Sequence, residues 1–597
     1  MAGKILTPVT LWENFRILST DFKVLRTFTE NGVTFTELYV YRPVSRTDKV
    51  AIYTKLAYVG SDFSNSPTLF LLQDVGQEIS DVDLKFIVSR GYSVVAMDIA
   101  GDNGKVMHAV GNAVAEAVNE NVLSKAIASS VAKNLSTTPN EVEREYSPYT
   151  IYPESLSYAK YLNAKNNLLG VGLNANESPY YQWCANARYV IGYLKNVEKI
   201  SKIGVIALKD AVTIGFHLAS TERLDAFVSL YGCGWQLPNG YKYSPKLRSD
   251  YSAEEHRVLA GIEAQSYASY VTCPTLMHVA TNYPYSDFDR AYDTYLGIKD
   301  EVYSVINYTV GTGAYLTYSS FRDCELFFNK FLKGRDVYIP QNIDLEVDIE
   351  NGKIRLQVTA DVDALEFIEV YASDGVVEPE YRCWKRIKDF RLSETDNGRY
   401  TFNYSPVKDN GIALFFAKAQ YRNGFKISSQ VVAKRYQNNE VECRPQFNVI
   451  YSSRDYAKNG IFEAINTNVD VSLCMKTQPE VLKEIRGPLG ILGLPATRGL
   501  TTFNVLKPSF DAMLVMDVFT ETDLDVKVEL ISDQYTAKEM HYFAVVKVVG
   551  GNIWNKVQIE KSRFKTIEGF HLKSYDNVKS IKILGDGNFA INNILWV

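Results

Sequence analysis

Lys202-Ile203-Gly204-Val205-Ile206-Ala207-Leu208-Lys209-Asp210-Ala211-Val212 is a continuous apolar run that breaks at two charged residues and resumes with helical spacing through Ala219. An apolar run without polar alternation is the pattern of a strand buried on both faces. Runs of the same kind stand at Thr68–Leu72, Ser93–Asp98, Ala226–Leu230 and Thr275–Ala280, separated by stretches of helical spacing. Buried strands alternating with helices imply a mostly parallel sheet with helices on both faces. This reading gives an α/β domain over residues 1–338.

Working outward, Thr34–Tyr41 and Val50–Val59 alternate apolar and polar residues, the period of half-buried antiparallel strands. Residues 1–60 are therefore expected to be N-terminal antiparallel strands. Residues 106–145 are rich in Ala, Val, Asn, Ser and Glu and suggest a helical insertion over the sheet, either a lid or a surface hairpin. Beyond Lys333-Gly-Arg the pattern turns all β. Alternating runs with turn signals at Asn351-Gly and Asp396-Asn-Gly predict an immunoglobulin-like sandwich over 339–438. A polar break at Gln437-Asn-Asn-Glu then precedes a third, jelly-roll domain over 439–597. The expectation is a multidomain chain, an α/β domain followed by two all-β sandwiches.

Composition narrows the function. A chain of 597 residues with 46% hydrophobic and 22% charged residues has the balance of a folded protein with ample core. The net charge of -5 offers no general attraction to nucleic acid or to anionic lipid, so neither partner is expected. No segment approaches the roughly 18 apolar residues of a membrane helix, and the start lacks a secretory pattern, so a cytoplasmic location is expected. Seven scattered cysteines without a Cys-x-x-Cys pair indicate reduced thiols rather than a disulfide framework or a zinc site. No Walker, dinucleotide-binding or His-Glu-x-x-His motif occurs, so no cofactor and no metal is expected.

Three segments carry a resemblance to a known family: Arg90-Gly-Tyr-Ser-Val-Val-Ala-Met-Asp98, Tyr180-Tyr-Gln-Trp-Cys-Ala-Asn-Ala-Arg-Tyr-Val-Ile-Gly-Tyr-Leu-Lys195, and Lys202 to Val212. Together they resemble the α/β-hydrolase superfamily, in particular the acetyl xylan esterase, cephalosporin deacetylase and dienelactone hydrolase-like group. The resemblance covers about half the chain. It implies a nucleophile elbow at Ala207-Leu-Lys-Asp-Ala211, an acid after the penultimate strand, a histidine after the last strand, and an oxyanion loop at Leu72-Gln-Asp-Val-Gly-Gln77. Asp98 would have a structural role.

Each implied position departs from the pattern. An elbow reads Gly-x-Ser-x-Gly because small flanks let the turn tighten beneath the nucleophile; here the small flanks persist and Lys209 replaces serine. Asn282 stands near the acid position, with Asp287 as a less favoured substitute. Gly313 and Ala314 stand near the histidine position, and no histidine occurs between His278 and His541. The oxyanion-loop equivalents Gln73 and Asp74, with Asp210 after the elbow, bring negative charge where an oxyanion would develop. Catalytic residues are therefore not expected. Lys209 as a Schiff-base nucleophile is disfavoured by Asp210 alongside, which would hold it protonated. His217 and His278 read as core or helix-surface residues.

The last segment resembles carbohydrate-binding jelly rolls through Gly551-Asn-Ile-Trp-Asn-Lys-Val-Gln-Ile559, Phe564-Lys and Phe589-Ala-Ile-Asn-Asn-Ile-Leu-Trp-Val597, with Trp554 and Trp596 read as core. The leading functional expectation is a catalytically inactive, hydrolase-like binding or scaffold protein for a carbohydrate, acylated or other small-molecule ligand. The alternative is an acetyl xylan esterase-like hydrolase using non-standard residues. Oligomeric state is left open.

Overall fold

The structure is a computed structural model that describes residues 4–17, 20–101, 146–156, 174–232, 234–235, 241–243, 251–313, 316, 318–341, 343–391, 398–407, 411–437, 439–444, 448–452, 463–464, 485–496, 499–506, 508–536 and 538–597. The expected helical insertion at 106–145 lies outside the described residues. The chain divides into two compact units, one of residues 1–309 with 320–341, the other of residues 310–319 with 342–597.

The first unit is built on a nine-stranded sheet: β1 (Phe22–Glu30), β2 (Val33–Pro43), β3 (Lys49–Val59), β4 (Thr68–Leu72), β5 (Ser93–Met97), β6 (Ile203–Leu208), β7 (Ala226–Tyr231), β8 (Thr275–Ala280) and β9 (Ser304–Thr309). The order is β1-β2-β3-β5-β4-β6-β7-β8-β9. Pairing is antiparallel from β1 to β5 and parallel from β5 onward. This mixed sheet fits an α/β domain. Among the helices are α1 (Pro8–Trp12), α2 (Asp81–Val88), α3 (Pro179–Asn196), α4 (Val212–Thr221), α5 (Ala253–Gly261), α6 (Gln265–Ala268), α7 (Phe288–Leu296) and α8 (Tyr318–Phe331).

Two features of the N-terminal region differ from the sequence expectation. Strands occupy 22–59 rather than 1–60, because Thr7 caps the short helix α1 with Pro8 at its first position, where a missing N–H costs nothing. β2 and β3 are also buried on both faces rather than half-buried, since α3 packs against β2 and α2 against β3.

The parallel core depends on close approach of α4 to the sheet. A Cβ on Gly215 would meet Phe227 Cε2 at 2.4 Å and Ala207 Cβ at 2.8 Å, so only glycine lets the helix lie this close to β6 and β7. Gly215→Val is expected to destabilise the first unit by about 3 kcal/mol through overpacking, read as a lowered midpoint of thermal unfolding.

The described residues of the second unit beyond 342 are mostly β-strand. Within 343–436 are a three-stranded and a larger antiparallel sheet, and two further sheets lie within 449–596. Both stretches fall within the second compact unit. Tyr381 ties them together: its hydroxyl donates to Gln534 O, its ring stacks on Tyr535 at 5.9 Å, and Lys579 Nζ lies 4.8 Å from the ring centroid.

His541 in this unit sits between two carboxylates, Nδ1 2.5 Å from Glu529 and Nε2 2.9 Å from Glu539. Burial opposes its charge, yet the two glutamates raise its pKa to about 9, while their own pKa values are lowered. A histidine whose folded pKa exceeds its unfolded value of about 6.5 contributes stability fully below that value and loses it as pH rises through about 9. The glutamates contribute above their unfolded range and lose that contribution in acid. His541→Gln is therefore expected to lower the unfolding midpoint most near pH 5–6 and to converge on the wild type near pH 9. A constant offset across that range would contradict the charged histidine.

Among the described residues no helix is long and apolar enough to cross a membrane. Cys184, Cys273 and Cys324 are buried thiols and Cys383 and Cys443 are partly buried ones, none of them in a disulfide among the described residues.

Candidate functional site

The elbow forms where β6 ends. Leu208 is extended (φ -104, ψ 135), Lys209 takes φ 49, and a 3₁₀ turn, Lys209–Ala211, leads directly into α4. A non-glycine residue in the left-handed region is held there by its surroundings. Ala207 and Ala211 are fully buried, which allows the sharp turn. Gly232, just past β7, runs beneath it: a Cβ there would lie 2.5 Å from Lys209 O. Lys209 thus occupies a strand-to-helix turn of the kind that projects a side chain above a sheet.

Lys209 Nζ lies 3.4 Å from Asp74 Oδ2, and the Asp210 main-chain N–H donates to Asp74 Oδ1 at 3.4 Å. The neighbouring strands β4 and β6 pair in parallel, so the loop after β4 and the elbow after β6 meet at the same sheet end. Lys209 Nζ is also 5.8 Å from the centre of the Tyr283 ring.

The expected Lys209–Asp210 pairing is corrected by this geometry. Asp210 turns inward, where its Oδ1 accepts from the Tyr283 hydroxyl at 2.8 Å, and Asp74 is the ion-pair partner of the lysine. The physical reason is the turn itself, in which the side chains on either side of its first peptide diverge. Burial, with Asp74 close by, raises the Asp210 pKa despite the Tyr283 hydroxyl and the Lys209 charge.

The other candidate residues are engaged elsewhere. Gln73 caps the start of α2: its Oε1 accepts from Ser80 N at 3.1 Å and its Nε2 donates to Asp83 at 3.3 Å. Asn282 is buried just past β8 and accepts from Thr281 Oγ1 at 2.7 Å. Asp287 is the N-cap of α7, accepting from Asp289 N at 3.0 Å and pairing with Arg290. Gly313 follows β9 with φ 63 and groups with the second unit; Ala314 lies outside the described residues. Asp98 accepts from Thr150 N at 2.7 Å and Gly101 N at 3.1 Å, and burial raises its pKa to about 6.

Both first-unit histidines of interest are buried. His217 stacks on Tyr267 at 3.6 Å, its Nε2 lies 2.8 Å from Ile262 O, and burial lowers its pKa to about 3. His278 lies within β8, hydrogen-bonded to Thr309 and 3.9 Å from Asp323.

Comparison with solved structures finds esterases. Acetyl xylan esterase 1 from Thermoanaerobacterium sp. JW/SL YS485 is similar over 53% of this chain and 92% of its own, at 14% identity and a TM-score of 0.36. An acetyl xylan esterase from Paenibacillus sp. R4 is similar over 55% and 92%, at 12% identity and a TM-score of 0.36. A cold-adapted esterase from an Arctic intertidal metagenomic library is similar over 51% and 97%, at 10% identity and a TM-score of 0.29. No family model matches the chain, and no curated protein does.

In the second unit, Trp596 is buried, its Nε1 donating to Val505 O at 2.7 Å. Trp554 differs from its core expectation. It is partly exposed, donates to Pro488 O at 3.1 Å, and lies under Gly487 and Gly493, whose added Cβ atoms would each meet the indole at 2.6 Å. The hairpin at 485–496 therefore covers the indole.

Proposed function

We propose that the first unit is an α/β-hydrolase fold that has lost ester hydrolysis and serves as a binding or scaffold module. The observation that carries this reading is the Asp74 carboxylate, 3.4 Å from both the Asp210 main-chain nitrogen and the Lys209 ammonium. In a hydrolase of this fold the residue after the nucleophile lends its main-chain N–H to the oxyanion. Here a carboxylate takes that donor, so an acyl oxygen developing charge would face a negative group. Lys209 has no hydroxyl, and an ammonium paired with a carboxylate has no lone pair free for attack. The strand order and the φ of 49 at Lys209 support the fold assignment.

The test is labelling of the intact protein with a fluorophosphonate probe alongside an acetyl-ester assay. No adduct and no turnover above buffer are expected. A labelled serine in the first unit whose substitution abolishes turnover would overturn the reading.

A further inference from the structure

Arg42, at the end of β2, is buried at 6% exposure and has no acidic partner within ion-pair distance among the described residues. Buried arginines are seldom left without a counter-charge, because a cation withdrawn from water costs several kcal/mol unless it is paired. Its two hydrogen bonds go to neutral amides. Nε donates to Asn186 Oδ1 and one terminal nitrogen to Gln182 Oε1, both at 2.6 Å. Gln182 and Asn186 lie four residues apart on α3 and so share one face of that helix.

The cradle is fixed in orientation. Asn186 Nδ2 donates to the Tyr152 hydroxyl at 3.0 Å, and that hydroxyl donates to Ile99 O at 2.6 Å. Gln182 Nε2 donates to Asn176 O at 3.4 Å. These second bonds turn both amide oxygens toward the guanidinium, and its other terminal nitrogen, NH1, has no acceptor among the described residues. Among the described residues the ionisable groups that act on Arg42 are the phenols of Tyr152, Tyr181 and Tyr189, which are uncharged at neutral pH, and burial lowers its pKa.

We propose that Arg42, held by Gln182 and Asn186 beside Tyr152, binds a small oxyanion, a carboxylate or an inorganic phosphate, through the free edge of its guanidinium. This site is separate from the elbow and does not rest on the loss of hydrolysis. The chemistry is that of charge-assisted hydrogen bonding in a water-poor setting, where a planar N–H fork matches two anionic oxygens. An arginine serving packing alone would be the costlier arrangement, since an apolar side chain would fill the same volume without the buried charge.

The experiment titrates full-length protein with sodium acetate and, separately, sodium phosphate, ionic strength held constant with sodium chloride, by calorimetry and thermal unfolding. Saturable heat is expected with at least one anion, with the first unit's midpoint raised by about 5 °C at concentrations far above the dissociation constant. A response to acetate alone identifies a carboxylate ligand, and a response to phosphate alone an inorganic or esterified phosphate. Arg42→Met should abolish the response. Gln182→Leu, which frees the guanidinium from its cradle, should weaken binding roughly tenfold, and it serves if Arg42→Met fails to fold. No saturable heat with either anion, or an equal response in wild type and variants, overturns the proposal.

Discussion

Lys209→Ser is expected to leave ester hydrolysis at the rate of buffer. A serine at this elbow would have the required backbone, since φ 49 and the buried flanks Ala207 and Ala211 already exist. Among the described residues it would find no free histidine and no carboxylate at the acid position. The position after β8 carries Asn282, which supplies no carboxylate, and His217 and His278 are buried in other contacts. Triad members act as a unit, and removing nucleophile or base alone costs about a millionfold in turnover; on the function proposed above, restoring one member alone recovers almost nothing. Asp74 adds a further obstacle, because removal of the lysine leaves its carboxylate on the Asp210 N–H without its ion-pair partner. Rebuilding requires Lys209→Ser, Asp74→Ala, Asn282→Asp and Ala314→His together, and trace acetyl-ester turnover is the expected gain. Turnover by wild type comparable to that of the fourfold variant would show that another nucleophile does the chemistry, and turnover by Lys209→Ser alone would show that a base already serves this position.

The strand-to-helix turn at Lys209 was readable from the sequence because its determinants are local. A strand buried on both faces must be apolar throughout, and the residue that breaks the run, Lys209, marks the turn. Small neighbours on either side are legible for the same reason. Side-chain direction within the turn was not. Asp210 follows Lys209 in the chain but points to Tyr283, 73 residues away in sequence, while the lysine pairs with Asp74 from another loop. Spacing along a chain carries no information about which of two adjacent carboxylates a lysine meets.

Strand burial failed for a related reason. Thr34–Tyr41 alternates as though one face were wet, yet Thr36, Glu37, Thr54 and Lys55 are all buried. Polar residues in these strands are compensated across the sheet rather than exposed, and compensation depends on register. The Arg42 cradle was invisible on the same grounds, because its three main residues are contributed by β2 and α3, more than a hundred positions apart.

Register makes Glu37 the residue whose loss should cost the first unit most. β1 sets Arg26 opposite Glu37, and β3 sets Lys55 on its other side. The Glu37 side chain is fully buried, accepting from Arg26 Nε at 3.0 Å and NH2 at 2.8 Å and lying 3.1 Å from Lys55 Nζ. The Tyr146 hydroxyl also donates to it. Burial by itself would raise its pKa, but the hydrogen bonds from Arg26 and Tyr146 and the Lys55 charge bring it down to about 2. Glu37→Ala removes the buried carboxylate shared by Arg26, Lys55 and the Tyr146 hydroxyl, for an expected loss of about 3–4 kcal/mol. That is the lower part of the range for a broken buried pair, since Lys55 keeps Asp81 at 2.6 Å and Arg26 is about a third exposed. The combined variant Arg26→Met, Glu37→Leu, Lys55→Met should be more stable than Glu37→Ala, because it removes the charges together instead of orphaning them. The pH dependence has a definite sign. A carboxylate with a depressed folded pKa stabilises above its unfolded value near 4.3 and loses that contribution as pH falls through about 2. The wild type should therefore lose stability between roughly pH 4.5 and 2 more steeply than Glu37→Gln. Denaturant unfolding of the first unit across that range measures both effects, and a Glu37→Ala variant within 1 kcal/mol of wild type would show that water, not the protein, satisfies this charge.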